Sequence, residues 1–381
     1  MDKESIYAVL DIGETNTKLV IGTIYSDKLN ICGVFSQPTK GVEGGDITSK
    51  SDIQATVSSL LSKAASDGFE VNKLILILPN NNLNVYRKVA SYPVQSPNNV
   101  VSSKDIELLK RACTRHNIPD NEMVVAVHPI SYMIDDTSTS KEEPIGMKGH
   151  TVSLKATVVT LPTTIARGYV DTLQDMGVEV LDAVLAPLAN ASLLLRNQEF
   201  RTGALIIDIG GKHTSLSLFY EGIFGDNKST SLGGDFITTE LSKAFDLDKR
   251  TSESVKVTYG SALVHSSSNV PVFVHPDKNK QIIENEIVTS IESSLDKEIK
   301  EINKCIEYLG VKGRELPIII TGGTANIEGI DEKFEKSIKM KCYVRTFNRV
   351  GSRNAMYNTA VGGLINYLAR NGLIDLNLVQ I

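Results

Sequence analysis

One short pattern occurs twice in this chain of 381 residues. VLDIGETNTKLVIGTI spans residues 9–24, and IIDIGGKHTSLSLFYEG spans residues 206–222. Each stretch predicts an apolar strand that ends in Asp-Ile-Gly, then a small polar loop and a second strand of alternating residues. Because the chain repeats this hairpin in its second half and is too long for one compact core, we expect two related lobes.

The segments around the hairpins alternate between strands and helices. Residues 6–12, 17–24 and 31–36 predict three strands joined by short turns, and residues 51–68 predict an amphipathic helix. Residues 281–309 predict one long charged helix. This alternation favours an α/β protein.

Composition and charge exclude several classes of function. A net charge of −5 and a pI near 5.8 argue against a nucleic-acid partner. The four cysteines are scattered without a Cys-x-x-Cys pair, which is typical of a reducing compartment and argues against a structural zinc site. The first residues lack the pattern of a secretory signal, and no run approaches 18 apolar residues, so we expect a protein that is neither secreted nor membrane-spanning.

A strand that ends in Asp-x-Gly and then turns sharply is suited to hold phosphate. Its backbone N–H groups point into the turn, and glycine lets the backbone approach the anion closely. The carboxylates of Asp11 and Asp208 would repel phosphate directly, so we expect them to act through Mg²⁺ and its waters. Two ordinary tight turns are the simpler interpretation, but the second copy and the TGGT stretch at residues 321–324 favour a phosphate clamp between the lobes.

Five motifs occur in an order that is similar to that of the actin, heat-shock-70 and sugar-kinase superfamily. In that superfamily they are called phosphate 1, connect 1, phosphate 2, adenosine and connect 2. Here they read LDIGETNTK, VLDAVLAPLANA, IIDIGGKHTSLSLF, IIITGGTANIEGI and AMYNTAVGG.

Within that superfamily the chain resembles the FtsA family of bacterial cell-division proteins. VVAVHPISYMIDD, followed by PIGMKG and VSLKATVVT, resembles the subdomain that this family inserts in its first lobe. SLGGDFITTELSKAFDLDKRTSESVKVTYGSAL resembles the stretch after phosphate 2, and the closing segment with GGTANIEGI and YNTAVGGLINYL is also similar. The resemblance covers almost the whole chain.

The resemblance implies an actin-like two-lobed α/β fold, built from duplicated ribonuclease H-like domains with an SHS2-like insertion. It divides the chain into four subdomains. They are lobe 1 (1A) at residues 1–83, 163–197 and 355–381, the inserted subdomain (1C) at 84–162, lobe 2 (2A) at 198–235 and 310–354, and the smaller part of the second lobe (2B) at 236–309.

The resemblance also implies a set of site residues around ATP or ADP with Mg²⁺. Catalytic roles fall on Asp11, Asp208 and Asp182, and the first two would also hold the metal through water. Contacts with the phosphates, the adenosine and the ribose and base are implied for Gly13, Thr15, Lys18, Gly210, Gly211, Thr214, Gly322, Gly323, Thr324, Glu253 and Lys256. Without the resemblance, Glu253 and Lys256 read equally well as a surface ion pair one helical turn apart.

Three residues depart from the family pattern inside the phosphate loops. Glu14 stands where relatives carry a small residue, and Lys212 and His213 replace a glycine and a small residue. A carboxylate at position 14 repels phosphate. Lys212 would neutralise Glu14 across the cleft, hold phosphate or obstruct the γ-phosphate. We expect nucleotide binding with at most weak ATP hydrolysis.

As a family function, the resemblance implies an actin-like filament that tethers the ring of tubulin-like FtsZ to the inner membrane. Other divisome proteins would bind the inserted subdomain, and the location would be cytoplasmic, at the membrane of the division septum. The short acidic and apolar FtsZ tail would dock on subdomain 2B. The docking site would use the basic residues Lys243, Lys249, Arg250, Lys278 and Lys280 of this subdomain, which lie among apolar residues such as Phe236, Phe245 and Ile282, although these lysines also read as a solvated face.

Two other interpretations remain open from the sequence. The first is a sugar kinase, because DIGETNTK is similar to hexokinase-like phosphate loops, although no sugar-reading cluster of Asn, Asp and Glu is found in the first lobe. The second is the pilus-assembly relative with the same insertion. FtsA proteins usually end in a basic amphipathic membrane helix. We expect residues 371–381, which carry no basic residue, to be the end of the folded body instead.

Overall fold

The structure is a computed structural model that describes residues 6–25, 28–115, 118–278, 280–347 and 353–375. The chain begins in lobe 1 with a meander of strands whose alternating apolar residues face a buried core. The elements of this segment are β1 (Ile6–Ile12), β2 (Asn16–Tyr25), β3 (Lys28–Pro38), β4 (Val42–Glu43), β5 (Asp46–Ile47), α1 (Lys50–Ser66) and β6 (Lys73–Leu78).

Residues 84–162 form a sheet of their own. The elements are β7 (Asn84–Pro93), α2 (Ser103–Arg115), β8 (Glu122–Ile134), β9 (Ser138–Ser140) and β10 (Thr151–Pro162). The strand order is β7-β10-β8-β9, and in the described part of the chain these strands share no ladder with the sheet of lobe 1. Leu109 of α2 and Tyr132 of β8 belong to a separate apolar core beneath the helix.

The chain then returns to lobe 1. The elements are α3 (Thr163–Gln174), β11 (Glu179–Leu185), α4 (Ala186–Leu194) and α5 (Asn197–Thr202). β11 pairs in parallel with β6, and β6 pairs in parallel with β1. The completed sheet has the order β11-β6-β1-β2-β3.

Lobe 2 repeats this arrangement. Its elements are β12 (Ala204–Ile209), β13 (Thr214–Tyr220), β14 (Ile223–Thr230), α6 (Gly234–Phe245), α7 (Lys249–Tyr259), β15 (Pro271–Val274), β16 (Gln281–Ile283), α8 (Glu284–Tyr308), β17 (Ile318–Thr321), α9 (Ile330–Ile338) and β18 (Cys342–Val344). The order β18-β17-β12-β13-β14 matches that of lobe 1 strand for strand. The predicted duplicated α/β fold is therefore confirmed.

The long helix is shorter than the sequence predicts. The apolar and charged periodicity suggests a helix from residue 281, but Gln281–Ile283 pair with β15 as a short antiparallel strand. The helix α8 begins at Glu284. One face of this helix packs in the apolar core of lobe 2 through Ile287 and Ile291.

The last helix, α10 (Asn358–Arg370), leaves lobe 2 and packs on α4 of lobe 1. A Cβ atom on Gly362 would lie 2.0 Å from the carbonyl oxygen of Ala189, so only glycine allows the two helices to approach this closely. Ile374 is buried in the core of lobe 1. The apolar residues from Leu376 to Ile381, which we predict to close the folded body, lie outside the described residues.

The inserted subdomain also touches lobe 2. Arg87 of β7 donates a hydrogen bond to the hydroxyl of Tyr220, and Lys141 lies 3.3 Å from a carboxylate oxygen of Glu221. Among the described helices, none is long and apolar enough to cross a membrane.

Candidate nucleotide site between the lobes

The two Asp-bearing hairpins line the same cleft. The loop between β1 and β2 forms one wall, and the loop between β12 and β13 forms the other. The cleft encloses about 310 Å³, which lies within the range of about 300–1,000 Å³ that is usual for small-molecule sites. Of the predicted site residues, those that line it are Asp11, Gly13, Thr15, Lys18, Asp208, Gly210, Gly211, Glu253, Lys256, Gly322, Gly323 and Thr324.

The two strand-end aspartates have different partners. Asp11 lies opposite Lys18 in the β1–β2 ladder, and the Lys18 Nζ donates to its carboxylate at 2.9 Å. Oδ2 of Asp208 accepts a hydrogen bond of 3.1 Å from the side-chain amide of Asn190. Burial raises the pKa of Asp208, the charge of Asp11 raises it further, and Lys18 and Asn190 offset part of this increase. The floor of the cleft therefore holds two interacting carboxylates.

The glycine loops of the two lobes meet directly. The hydroxyl of Thr15 lies 3.4 Å from Oδ2 of Asp235, which belongs to the first turn of α6. A Cβ atom on Gly211 would lie only 2.0 Å from the same hydroxyl oxygen. Glycine at position 211 is thus required for the two loops to approach each other as they do here.

Glu14 is held on both sides of the cleft. It accepts hydrogen bonds from the backbone N–H of Gly44 at 3.1 Å and from the side-chain amide of Asn81 at 3.0 Å. Nδ1 of His213 lies 2.9 Å from its Oε1, and this nitrogen has no hydrogen-bond partner among the described atoms. The contact that we expected from Lys212 is therefore made by His213, while Lys212 is exposed and acts on Glu14 through its charge.

The residues that are predicted to contact the adenosine cluster on lobe 2. Lys256 lies 2.7 Å from Glu253, one helical turn away on α7, and its Nζ also donates to the carbonyl oxygen of Gly234 at 2.9 Å. Gly322 has a φ of +90°, and a Cβ there would lie 2.4 Å from the carbonyl oxygen of Ile209. Residues of both α7 and the TGGT loop line the cleft.

Sequence reasoning missed other residues that line this edge. They are Val257, Asn326, Ile327, Asn354 and Met356. The amide of Asn326 donates to Oδ1 of Asn354 at 2.8 Å, which joins the TGGT turn to the segment before α10. Asn326 could have been predicted to line the cleft, because it follows TGGT by two residues. Nothing in the sequence indicated that Asn354 and Met356 line the cleft, because they reach it only where the chain folds back before α10.

Two predicted site residues are not brought to the cleft. Thr214 is fully buried, and its hydroxyl lies 2.8 Å from the Leu232 carbonyl oxygen and 2.9 Å from Oε1 of Glu298. Asp182 lies in the edge strand β11 and pairs with Arg370 of α10 at 3.2 Å. Neither residue is among those that line the described cleft.

The predicted partner surface is only partly available. Lys243 pairs with Glu240 at 2.9 Å, and Lys278 pairs with Asp246. Ile282 is 1% exposed and belongs to the core, so it is not an accessible anchor. The other predicted basic residues, Lys249, Arg250 and Lys280, are exposed as well.

A duplicated sheet with glycine loops from both halves around one cleft defines an actin-like protein. The family described as "Cell division protein FtsA" matches residues 205–362, and the family described as "SHS2 domain inserted in FTSA" matches residues 81–160. Together the two matches cover more than half of the chain, which belongs to the FtsA family. The cell division protein FtsA of Bacillus subtilis is 27% identical over 98% of this chain and 86% of its own length.

Solved structures agree with the actin-like fold. A PilM–PilN type IV pilus biogenesis complex superposes with a TM-score of 0.67 at 17% identity, covering 98% of this chain and 99% of the other. MreB5 of Spiroplasma citri, bound to ADP, superposes with a TM-score of 0.55 at 15% identity, covering 97% of each chain. The likeness to the pilus protein concerns the fold, whereas the inserted subdomain matches the FtsA family.

Proposed function

We propose that this protein is a nucleotide-dependent cytoskeletal adaptor of bacterial cell division, which binds an adenine nucleotide between its lobes and assembles into filaments. The observation that carries the proposal is the pair of Asp-bearing glycine loops, one from each lobe, on opposite walls of one cleft. Backbone N–H groups in such loops bind phosphate from both sides. The actin-like MreB5 structures bound to ADP and AMPPNP support the same use of this cleft.

The donor set fits Mg²⁺ only together with nucleotide. No group of three or more His, Cys, Asp or Glu residues that could hold a metal is found in the part of the chain that the structure describes. Asp11 and Asp208 supply two carboxylates at the floor of the cleft. Since Mg²⁺ keeps several waters and binds through one or two carboxylates plus phosphate oxygens, these two residues would hold it through water.

The proposal gives each wall of the cleft its own role. Gly13, Thr15 and Lys18 would face the phosphates from lobe 1, and Gly210 and Gly211 would face them from lobe 2. Glu253, Lys256, Gly322, Gly323 and Thr324 would surround the adenosine, and the exposed side chain of Val257 offers an apolar contact for the base. Hydrolysis would be slow, because Asp182 and Thr214 lie outside the cleft and Glu14 repels added negative charge.

The adaptor role rests on family membership. The FtsZ tail would bind subdomain 2B, with Lys249, Arg250 and Lys280 steering its acidic residues. Other divisome proteins would bind the inserted subdomain, and the protein would act at the inner face of the cell membrane. The family matches favour this function over a sugar kinase or a pilus-assembly protein.

The nucleotide site is tested by calorimetric titration of the chain with Mg-ADP and Mg-ATP. Asp208→Ala should remove the magnesium-dependent part of the affinity, while circular dichroism shows an intact fold. Asp226→Ala is a matched control, because Asp226 lies on β14 of the same lobe and does not line the cleft. Unchanged affinity in Asp208→Ala would contradict the shared metal site.

The adaptor role has its own experiment. A fluorescent peptide with the sequence of the FtsZ C-terminal tail is titrated against the protein, and a scrambled peptide of equal charge serves as the control. We expect saturable binding of the natural peptide alone. If neither peptide binds while nucleotide does, the nucleotide site stands and the FtsZ-adaptor role is wrong.

A further inference from the structure

Glu14 and His213 face each other across the cleft, one from each glycine loop. The Nδ1 atom of His213 lies 2.9 Å from Oε1 of Glu14, with 26% of the His213 side chain and 11% of the Glu14 side chain exposed. A carboxylate and an imidazole ring therefore fill part of the gap between the two loops to which we assign phosphate.

Glu14 is fixed in this gap from the lobe 1 side. The N–H of Gly44 and the amide of Asn81 both donate to its carboxylate. Burial alone would raise the pKa of Glu14, but His213, the Gly44 N–H and the charge of Lys212 together hold it below the usual value. The carboxylate is thus ionised in neutral solution, and its position is set by three different segments of the chain.

The pair lies away from the adenosine edge of the cleft. The neighbours of Glu14 are Gly44 and Asn81 in lobe 1, whereas Lys256 and Thr324 cluster around Gly234 in lobe 2. A nucleotide with its base against α7 would direct its phosphates between the two glycine loops. Its last phosphate would then approach Glu14.

The cations of the cleft are largely engaged. Of the three lysines that line the described cleft, Lys18 pairs with Asp11 and Lys256 pairs with Glu253. Lys212, the third, is exposed at the edge of its loop. A third phosphate would add negative charge beside a fixed carboxylate in a partly buried site, where like charges repel more strongly than in water.

We propose that the contact between Glu14 and His213 makes this cleft select a nucleoside diphosphate over a nucleoside triphosphate. The pair already joins the two glycine loops, which is the contact that a terminal phosphate would otherwise supply. A diphosphate leaves the pair intact, whereas a triphosphate must displace it or lie against Glu14. This inference rests on the proposed nucleotide site and deepens it by naming the form of the ligand.

The experiment compares Mg-ADP with Mg-AMPPNP, a triphosphate that is not hydrolysed, by calorimetry on the whole chain at one pH and salt concentration. The unmodified protein should bind the diphosphate about tenfold more tightly or better. Glu14→Ser should raise the triphosphate affinity about tenfold and leave the diphosphate affinity within about twofold. His213→Gln removes the contact that a triphosphate must displace but keeps the Glu14 carboxylate, so it should narrow the ratio of the two affinities less than Glu14→Ser does.

Two further variants keep the test decisive. Glu14→Gln removes the charge but keeps the size of the side chain, so it replaces Glu14→Ser should the latter fail to fold. Glu43→Ser removes an exposed carboxylate from the neighbouring hairpin, outside the cleft lining, and should change neither affinity.

Equal affinities in the unmodified protein, or an unchanged affinity ratio in both Glu14 variants, would overturn the selectivity and leave nucleotide binding standing. Loss of both affinities in both Glu14 variants would assign Glu14 a supporting role in the cleft and also overturn the inference. An unmodified protein that binds neither nucleotide would instead contradict the proposed function itself.

Discussion

Asn190 of α4 joins Asp208 of lobe 2 to Thr359 of α10. Its amide nitrogen donates to Oδ2 of Asp208 at 3.1 Å, and its amide oxygen accepts from the Thr359 hydroxyl at 3.0 Å. Asn190 is 1% exposed. One buried side chain thus connects the floor of the nucleotide cleft with the two helices that cross between the lobes.

Replacing Asn190 by alanine should therefore affect both stability and ligand binding. The change leaves the Thr359 hydroxyl and Asp208 without a buried partner, which should lower the free energy of unfolding by about 1–3 kcal/mol. Nucleotide affinity should fall as well, because Asp208 is no longer oriented. Urea unfolding and calorimetry measure the two effects.

Asn366→Ala is the matched control for this change. The Asn366 amide also joins α10 to α4, through a 2.9 Å hydrogen bond to the Ser192 hydroxyl, but it does not contact Asp208. It should lower stability without changing nucleotide affinity. Equal losses of affinity in both variants would contradict the specific role of Asn190.

Glu298 should make stability depend on pH. It is fully buried on α8, its Oε2 has no hydrogen-bond partner among the described atoms, and burial raises its pKa to about 7. The folded state therefore holds this proton more tightly than the unfolded chain, where the pKa is near 4.5. The stabilisation is fully present below pH 4.5 and is lost as the pH rises through about 7.

Glu298→Gln should remove this pH dependence of stability. In the unmodified protein it amounts to a change of about 2–3 kcal/mol in the free energy of unfolding between pH 4.5 and about 7. Denaturant unfolding at a series of pH values from 4.5 to 8 is the measurement, because the slope of stability against pH is then compared directly. Glu301→Gln, a partly exposed neighbour on the same helix, should keep the slope of the unmodified protein. A slope that is the same in all three proteins would show that Glu298 does not titrate as described.

Gly211→Ala should hold the lobes apart. The added Cβ would lie 2.0 Å from the Thr15 hydroxyl oxygen and 2.7 Å from its Cβ, so the loops must separate. Nucleotide affinity should fall about tenfold or more, because the phosphate contacts from the two lobes no longer converge. Gly168 lies in α3, outside the cleft lining, and the nearest neighbour of a Cβ atom there would be 3.6 Å away. Gly168→Ala should therefore leave the nucleotide affinity unchanged.

Charge reversal of Lys249 and Arg250 together should weaken binding of the FtsZ-tail peptide several-fold. Both residues lie in the first turn of α7, where acidic side chains are compatible with the helix dipole, so the fold should tolerate the change. Binding to the unmodified protein should also weaken as salt concentration rises. The matched control reverses Lys312 and Arg314, beyond the end of α8. Equal binding to all three proteins would exclude the basic cluster as the docking site.

The duplicated hairpins were predictable because their signal is local. Alternation of apolar and polar residues marks each strand, and Asp-Ile-Gly marks the turn, as in the segments that begin at Val9 and Ile206. The α/β fold and the family resemblance followed from the order of such local signals along the chain. Most of the predicted glycine-loop residues line one cleft for the same reason, since the ends of corresponding strands in two lobes face each other.

Which side chain points into the cleft depended on contacts between distant segments. Asp182 lies opposite Ile75 in the β11–β6 ladder, so its carboxylate meets Arg370 rather than the cleft, and a sequence does not state this register. Similarly, the packing of α8 draws Thr214 onto Glu298, and the path of its loop brings His213, not Lys212, onto Glu14. Local periodicity specifies strands and turns, whereas the partners of polar side chains follow from packing among segments that lie far apart in the chain.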